Sequence, residues 1–447
     1  MYKSYQQHIY FIGLLLLAVS LPLSIFLLSV AMFILTANWL LENNFRQKLE
    51  ITRSRKSIAS FIIIYIVHLL GMLYSADWTY GIHDLKIKLP LLILPLIIGT
   101  SKPLNEKKLE QILLFFCGAV LISTIISIGK LLGWWGTKVV DIRDISIFIS
   151  HIRLALMINM SIFILIWIIP RTSSIAVRIL FIISMLWFIF FLTILKSLTG
   201  IFILGTLVLF FGIRKVLRSQ DLIAKWFILV GCALMVLMGA TYITHSISKF
   251  YYKGQTDLSN LDHFTKNGNI YTHDISSKDF ENGNYTWLYV CDKEMENNWN
   301  RRSSVKFNGT DLKGQELRYT LIRYLTSKGL RKDSAGVCSL DSNDIRNIEL
   351  GMANYIYSQQ FSFYPRIYQL LWEIHQYKNG GNPSGHSFTQ RIEYLKTAKN
   401  ILLDNFWTGV GTGDVAAAFK EQYIKDDSKL VERWRLRAHN QMITFFL

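Results

Sequence analysis

The stretch Ile9–Leu41, IYFIGLLLLAVSLPLSIFLLSVAMFILTANWLL, runs for 33 residues without a charged side chain. A helix needs only about 20 such residues to cross hydrocarbon, so the run is too long for one span. Leu21-Pro22 interrupts it, and proline fits poorly inside a helix. Two short spans joined by a tight turn at that point are therefore expected. Working outward, similar apolar blocks recur at Ser57–Tyr74, Lys86–Gly99, Leu109–Ile128, Asp144–Ile169, Ile179–Lys196, Leu198–Ile213 and Lys225–Ser246. The reading is an α-helical polytopic membrane protein with about nine complete spans.

Composition agrees with that class. Of the 447 residues 51% are hydrophobic and 14% aromatic, too apolar for an ordinary soluble enzyme of this length. The net charge of +17 would suggest nucleic acid in a soluble chain, but here it lies largely in short loops between spans and argues for no nucleic-acid partner. With the N-terminus inside, the inside loops hold Arg46, Lys48, Arg53, Arg55, Lys56, Lys102, Lys107, Lys108, Arg171, Arg178, Arg214, Lys215 and Arg218. The outside loops then hold only Lys130, Lys138, Arg143 and Lys196. The positive-inside rule favours this orientation, and an odd number of spans puts everything after Ser246 outside the cytoplasm. The first apolar block continues past any small-residue cleavage site, so no cleavable signal peptide is expected.

Beyond the spans, residues 247–383 change character, with frequent Asn, Asp, Gly, Lys and Tyr and no span-length apolar run. That length can bury a core. GNYTWLYV (283–290) predicts a short strand. ELRYTLIRYLTSKGL and DSNDIRNIELGMANYIYSQQ predict amphipathic helices, the first stopped at Lys328-Gly329 and the second capped by Asp341 or Ser342. Cys291 and Cys338 lie in this segment, where the compartment permits a disulfide. His245, His263, His273, His375 and His386 have no metal-ligand spacing, so no metal is expected. The division expected is a membrane domain over 1–246, a soluble domain over 247–383, an interfacial helix and Gly-rich turn over 384–438, and the start of a tenth span over 439–447.

The ionisable residues of the spans carry chemical information, because charges in hydrocarbon are costly and usually face a site. Asp84, Lys86 and Lys88 open the fourth span from outside; His151 and Arg153 lie within the sixth; Lys196 ends the seventh. Near the C-terminus, GHSFTQRIEYLKTAKNILL suggests a helix with a capping box at Ser387 and Gln390. Its apolar stripe is Phe388, Ile392, Leu395, Ala398 and Leu402, with Arg391 beside it. A glycine-rich turn follows at Gly409–Asp414. Then RWRLRAHNQMITFFL passes from Arg433, Arg435 and Arg437 through His439 and Asn440 into an apolar run. The same arginines and histidine could equally form a collar that binds lipid headgroups.

This order of arginine, Gly-x-Gly turn and His-Asn at a span mouth resembles the bacterial O-antigen ligase and polymerase family. HDLKIKLPLLILPL and SHIRLAL look like its fourth and sixth spans, and KSLTG looks like the segment opening its C-terminal domain. Leu198 stands where members usually carry an arginine, with Lys196 as the nearest cation. The resemblance implies a GT-C-like fold with a large, mostly helical extracytoplasmic domain between spans nine and ten. It implies a multi-pass protein of the bacterial inner membrane, N-terminus cytoplasmic and large domain periplasmic. The donor implied is an undecaprenyl-diphosphate-linked glycan and the acceptor a sugar hydroxyl of the lipid A core, joined by inverting transfer without metal or cofactor. His439 and Arg391 are then the catalytic candidates, with Arg153, Arg437 and Lys196 on the diphosphate. The alternatives are a polymerase joining lipid-linked repeat units, a protein O-glycosylating relative and, in another class, a transporter or flippase. Such a carrier would show paired charges at mid-bilayer and internal repeats. Family members continue for two or three spans past the position of Leu447, so the chain is expected to be truncated.

Overall fold

The computed structural model describes residues 2–135, 142–252, 254, 256–359 and 362–447; Lys138 lies outside them. The chain forms two compact units, residues 1–200 with 372–447, and residues 201–371. The second begins with two membrane helices and not only with the soluble segment.

In the first unit α1 (Tyr2–Leu23) and α2 (Ile25–Leu41) form a hairpin, with Tyr10, Leu14, Leu35 and Ile97 in its core. Proline does not mark the break. Pro22 is absorbed in the last turn of α1, and the chain turns at Ser24, whose hydroxyl accepts from Leu27 N–H at 3.2 Å to cap α2. Helix α3 (Phe45–Ser54) follows α2 at a bend of 111°. Next come α4 (Lys56–Gly71), α5 (Trp78–Lys88) and α6 (Pro90–Thr100). Then α7 (Glu106–Leu131), α8 (His151–Ile168) and α9 (Ile175–Ile194) complete the first stretch of this unit. Two indoles of this bundle find partners across helices: Trp39 Nε1 donates to Thr100 Oγ1 at 2.8 Å, and Trp187 Nε1 to Thr124 Oγ1 at 2.9 Å. Such pairing is required where no water can substitute.

Seven helices among the described residues are long and apolar enough to cross a membrane, and the bent α2–α3 pair would make an eighth. The chain is thus an α-helical polytopic membrane protein. The block expected as the fourth span is divided. Lys88 ends α5 and Pro90 opens α6, each helix only 11 residues long. Proline suits the first position of a helix because the N–H it lacks would be unsatisfied there anyway.

The second unit opens with α10 (Leu198–Arg218), whose first residues belong to the first unit, and α11 (Leu222–Tyr251). Phe250 at the end of α11 is fully buried among Tyr251, Phe280 and Tyr368. Strands β1 (Phe280–Glu281) and β2 (Asn284–Tyr285) pair through the turn Asn282-Gly283, both residues at positive φ. This Asn-Gly hairpin is the type whose twist matches the strands. The predicted strand over 283–290 shrinks to β2, with Val290 bridging Thr272 and Lys332. The helices are α12 (Asp292–Arg302), α13 (Leu317–Ser327), α14 (Ser334–Cys338), α15 (Ser342–Glu349) and α16 (Tyr364–Lys378), which enters the first unit at Trp372. Met295, Trp299, Leu321 and Leu325 centre their core. Helix α15 is capped by Asp341 in a complete capping box with Asp344. Cys291 and Cys338 are free thiols.

The chain closes, in the first unit, with α17 (Ser387–Asp404), α18 (Val415–Lys425) and α19 (Gln441–Phe446). These share a core of Tyr394, Ala398, Ile401, Val415, Phe419 and Tyr423.

Candidate functional site

The glycine-rich turn is built into the loop between α4 and α5. Thr412 Oγ1 donates to His68 O at 2.7 Å, and Gly413 N–H to Ser75 Oγ at 2.9 Å. In return Ala76 and Asp77 N–H donate to the two Asp414 carboxylate oxygens at 2.7 and 2.9 Å. Gly411 has φ +86°, which only glycine adopts without cost. A Cβ on Gly413 would stand 2.2 Å from the Asp77 carbonyl oxygen. The turn therefore does more than shape the approach to the final apolar run: it latches the C-terminal segment onto the start of α5.

Helix α5, N-capped by Asp77, presents Tyr80, Asp84 and Lys88 at i, i+4 spacing, which places them on one face. Asp84 Oδ2 and Lys88 Nζ are 2.5 Å apart and both side chains are buried. Asp84 Oδ1 accepts from Arg437 Nη1 at 3.1 Å, and the Arg437 guanidinium lies 5.7 Å from the Tyr80 ring centre. One carboxylate thus holds two cations, a net positive cluster. His68 is 6% exposed; its Nδ1 bonds Ile64 O at 2.8 Å, and Nε2 finds no partner. Because a carbonyl faces Nδ1, that nitrogen carries the proton and Nε2 keeps a free lone pair.

The arginine-rich segment 433–437 hangs from two buried tyrosines, Tyr394 Oη donating to Trp434 O at 2.9 Å and Tyr423 Oη to Leu436 O at 2.7 Å. Its arginines divide their work. Arg433 lies over the Trp434 ring, Arg435 donates to Leu430 O and Ser428 O, and Arg437 reaches Asp84. His439 follows at φ +49°, its ring 5.6 Å from Tyr394. Partial burial lowers its pKa, and the Arg391 and Arg437 charges lower it further. The neutral imidazole is therefore the form favoured at pH 7. Asn440 caps α19, its side chain accepting from Met442 N–H at 3.0 Å.

Arg391 is exposed on α17 and forms no ion pair among the described residues. The helix differs from the expected pattern. Its cap residue is His386, and Phe388 N–H is satisfied instead by the Glu373 carboxylate of α16 at 3.0 Å. The buried stripe is Gln390, Tyr394, Thr397, Ala398 and Ile401, because this face packs on α18. Phe388 and Leu395 are exposed and share a face with Arg391.

The structure thus groups Arg391, Arg437 and His439 with Asp84, Lys88 and Tyr80. Arg153 and Lys196 belong to a different junction. Arg153 is exposed in the first turn of α8. Lys196 is buried at φ +47° between α9 and α10, where Asn159 Nδ2 of α8 donates to Gly200 O at 2.9 Å. No contact named above joins that junction to His439. Among the described residues no three His, Cys, Asp or Glu side chains group as a metal site. Tyr80, His68, Thr412 and Asp414 were not legible as site residues; for Tyr80 the only signal was its i−4 spacing from Asp84.

Comparison of the chain with protein-family models, curated proteins and solved structures finds no match.

Proposed function

We propose that this chain is a glycosyltransferase of the O-antigen ligase kind. It moves a glycan from undecaprenyl diphosphate to a sugar hydroxyl of the lipid A core, in the bacterial inner membrane, with its site on the periplasmic side. The observation that carries the reading is the convergence of Arg391, Arg437 and His439 beside the buried Asp84–Lys88 pair. In this scheme Arg391 and Arg437 hold the diphosphate, since a guanidinium fork matches phosphate oxygens and stabilises charge on the departing group. Neutral His439 takes the proton of the acceptor hydroxyl as it attacks the anomeric carbon from the face opposite the diphosphate. Asp84 positions Arg437, and Lys88 keeps the local charge positive. Phe388 and Leu395 beside Arg391 suit a helix lying at a lipid boundary, as do the exposed Phe406 and Trp407 at the end of α17. The resemblance in residue order supplies the donor and acceptor classes.

The test supplies purified protein with lipid-linked glycan and lipid A core and follows core-linked product. Transfer by the native protein and its loss in His439→Ala support the reading. A native protein that consumes donor only to lengthen lipid-linked glycan is a polymerase, and one that leaves donor intact refutes both.

A further inference from the structure

A second polar concentration in the first unit lies at the end of α4 and α6 away from the α4–α5 loop. Helix α4 runs from Lys56 toward the α4–α5 loop and α6 returns to Thr100, so the segment after Thr100 lies at the opposite end of these helices. There the first turns of α1, the end of α2 and the turn between α6 and α7 enclose a cleft of about 230 Å³. Gln6, Asn38, Glu42, Lys102, Asn105 and Lys108 contribute to its lining. The volume is below that of drug-sized pockets and suits a small polar group.

Its chemistry is unbalanced toward donors. Gln6 is 8% exposed, yet its Nε2 has no hydrogen-bond partner. Its backbone carbonyl is already taken by Asn38 Nδ2 at 3.2 Å. A buried amide nitrogen left over in this way calls for an oxygen acceptor. Glu42 supplies a carboxylate, but Lys48 Nζ neutralises it at 3.1 Å. Lys102 and Lys108 then add two cations, and neither forms an ion pair among the described residues. The cleft also adjoins the amino end of α7, a helix of 26 residues with Asn105 as its cap. The partial positive charge of such an end favours an anion.

We propose that this cleft binds a phosphate-type anion through Gln6 Nε2, Lys102 and Lys108, separately from the glycosyl-transfer site. A phosphate presented by a lipid headgroup and a free phosphate share this chemistry, and the experiment separates them. The full chain in detergent is titrated with inorganic phosphate in one arm. In the other it is placed in nanodiscs of phosphatidylcholine with or without phosphatidic acid. Unfolding temperature and retained adducts in native mass spectrometry are read in both. Stabilisation by inorganic phosphate assigns the free anion, and stabilisation by phosphatidic acid alone assigns the headgroup. Replacing both lysines (Lys102→Gln with Lys108→Gln) removes two cations near an anionic group and weakens binding roughly thirtyfold. Gln6→Leu removes the stranded amide, so it lowers binding while the unliganded protein melts no lower than native. Should the double lysine variant fold poorly, Gln6→Leu decides alone. Absence of any response to both probes, or equal responses from native and Gln6→Leu protein, overturns the proposal.

Discussion

Replacing Asp84 by alanine removes the carboxylate that lies within hydrogen-bond distance of both Lys88 and Arg437, at 2.5 and 3.1 Å. The two partners are not equally affected. The Arg437 side chain is 39% exposed and can turn to water, whereas the Lys88 side chain is 8% exposed. Leaving a buried charge unpaired costs about 3–5 kcal/mol, while replacing both members of a buried pair by apolar groups is often neutral. Asp84→Ala should therefore lower stability by about 3–5 kcal/mol. The double substitution Asp84→Leu with Lys88→Met should recover most of it. Stability is read from denaturant or thermal unfolding in one detergent, with Lys88→Met completing the cycle. Transfer activity should not recover with stability, because Arg437 has lost its anchor in both variants. An Asp84→Ala protein that melts like the native one would show that water reaches Lys88. A double variant that regains activity would remove Asp84 from the positioning of Arg437.

Four further outcomes follow from the geometry. His439→Ala should cost roughly 10²–10⁴ in turnover with donor binding kept. The native acid limb should fall below pH 6.5, since a lowered pKa keeps the imidazole neutral further into acid; a limb above 6.5 contradicts the arrangement. Gly413→Ala should destabilise by about 1–3 kcal/mol, the usual cost of overpacking, and open the Gly71–Asp77 loop to proteolysis; unchanged cleavage there would show that the latch is loose. Lys332 is 3% exposed and donates to Tyr285 O and Leu288 O; burial pulls its pKa down to about 8 from 10.5. Above pH 8 the unfolded chain then binds more protons than the folded one, so stability should rise between pH 8 and 10 relative to Lys332→Met, by about 3 kcal/mol at most. A flat difference between the two melting curves across that range would place the ammonium in water.

The membrane class could be read because uninterrupted apolar runs have few other uses, and Lys328-Gly329 and Asp341 marked helix limits because caps act locally. Pro22 misled because its ring opposes only the turn that precedes it, a loss α1 absorbs in its last turn, while the cap at Ser24 sets where the next helix begins. On α17 the stripe through Phe388 and Leu395 was as periodic as the buried one. Tyr394 and Thr397 were buried by a neighbour, α18, that periodicity cannot see. The same limit hid most of the site. Asp84 and Lys88 announced themselves as charges in an apolar block, but Arg437 becomes their partner only through tertiary contact. Arg433 and Arg435, indistinguishable from Arg437 in sequence, turn to local carbonyls and a ring.

The latch also dictates when the site comes into being. Asp414 receives the N–H groups of Ala76 and Asp77 across 338 and 337 positions of chain. At bacterial elongation rates of about 5–20 residues per second that separation corresponds to roughly 20–70 s of synthesis. Through that interval the α4–α5 loop is in place while its amide donors wait on water, and Asp84 and Lys88 have no Arg437. The cluster is thus assembled only once Asp414 and Arg437 have been made, and chains that stop short of them reside in the membrane without it.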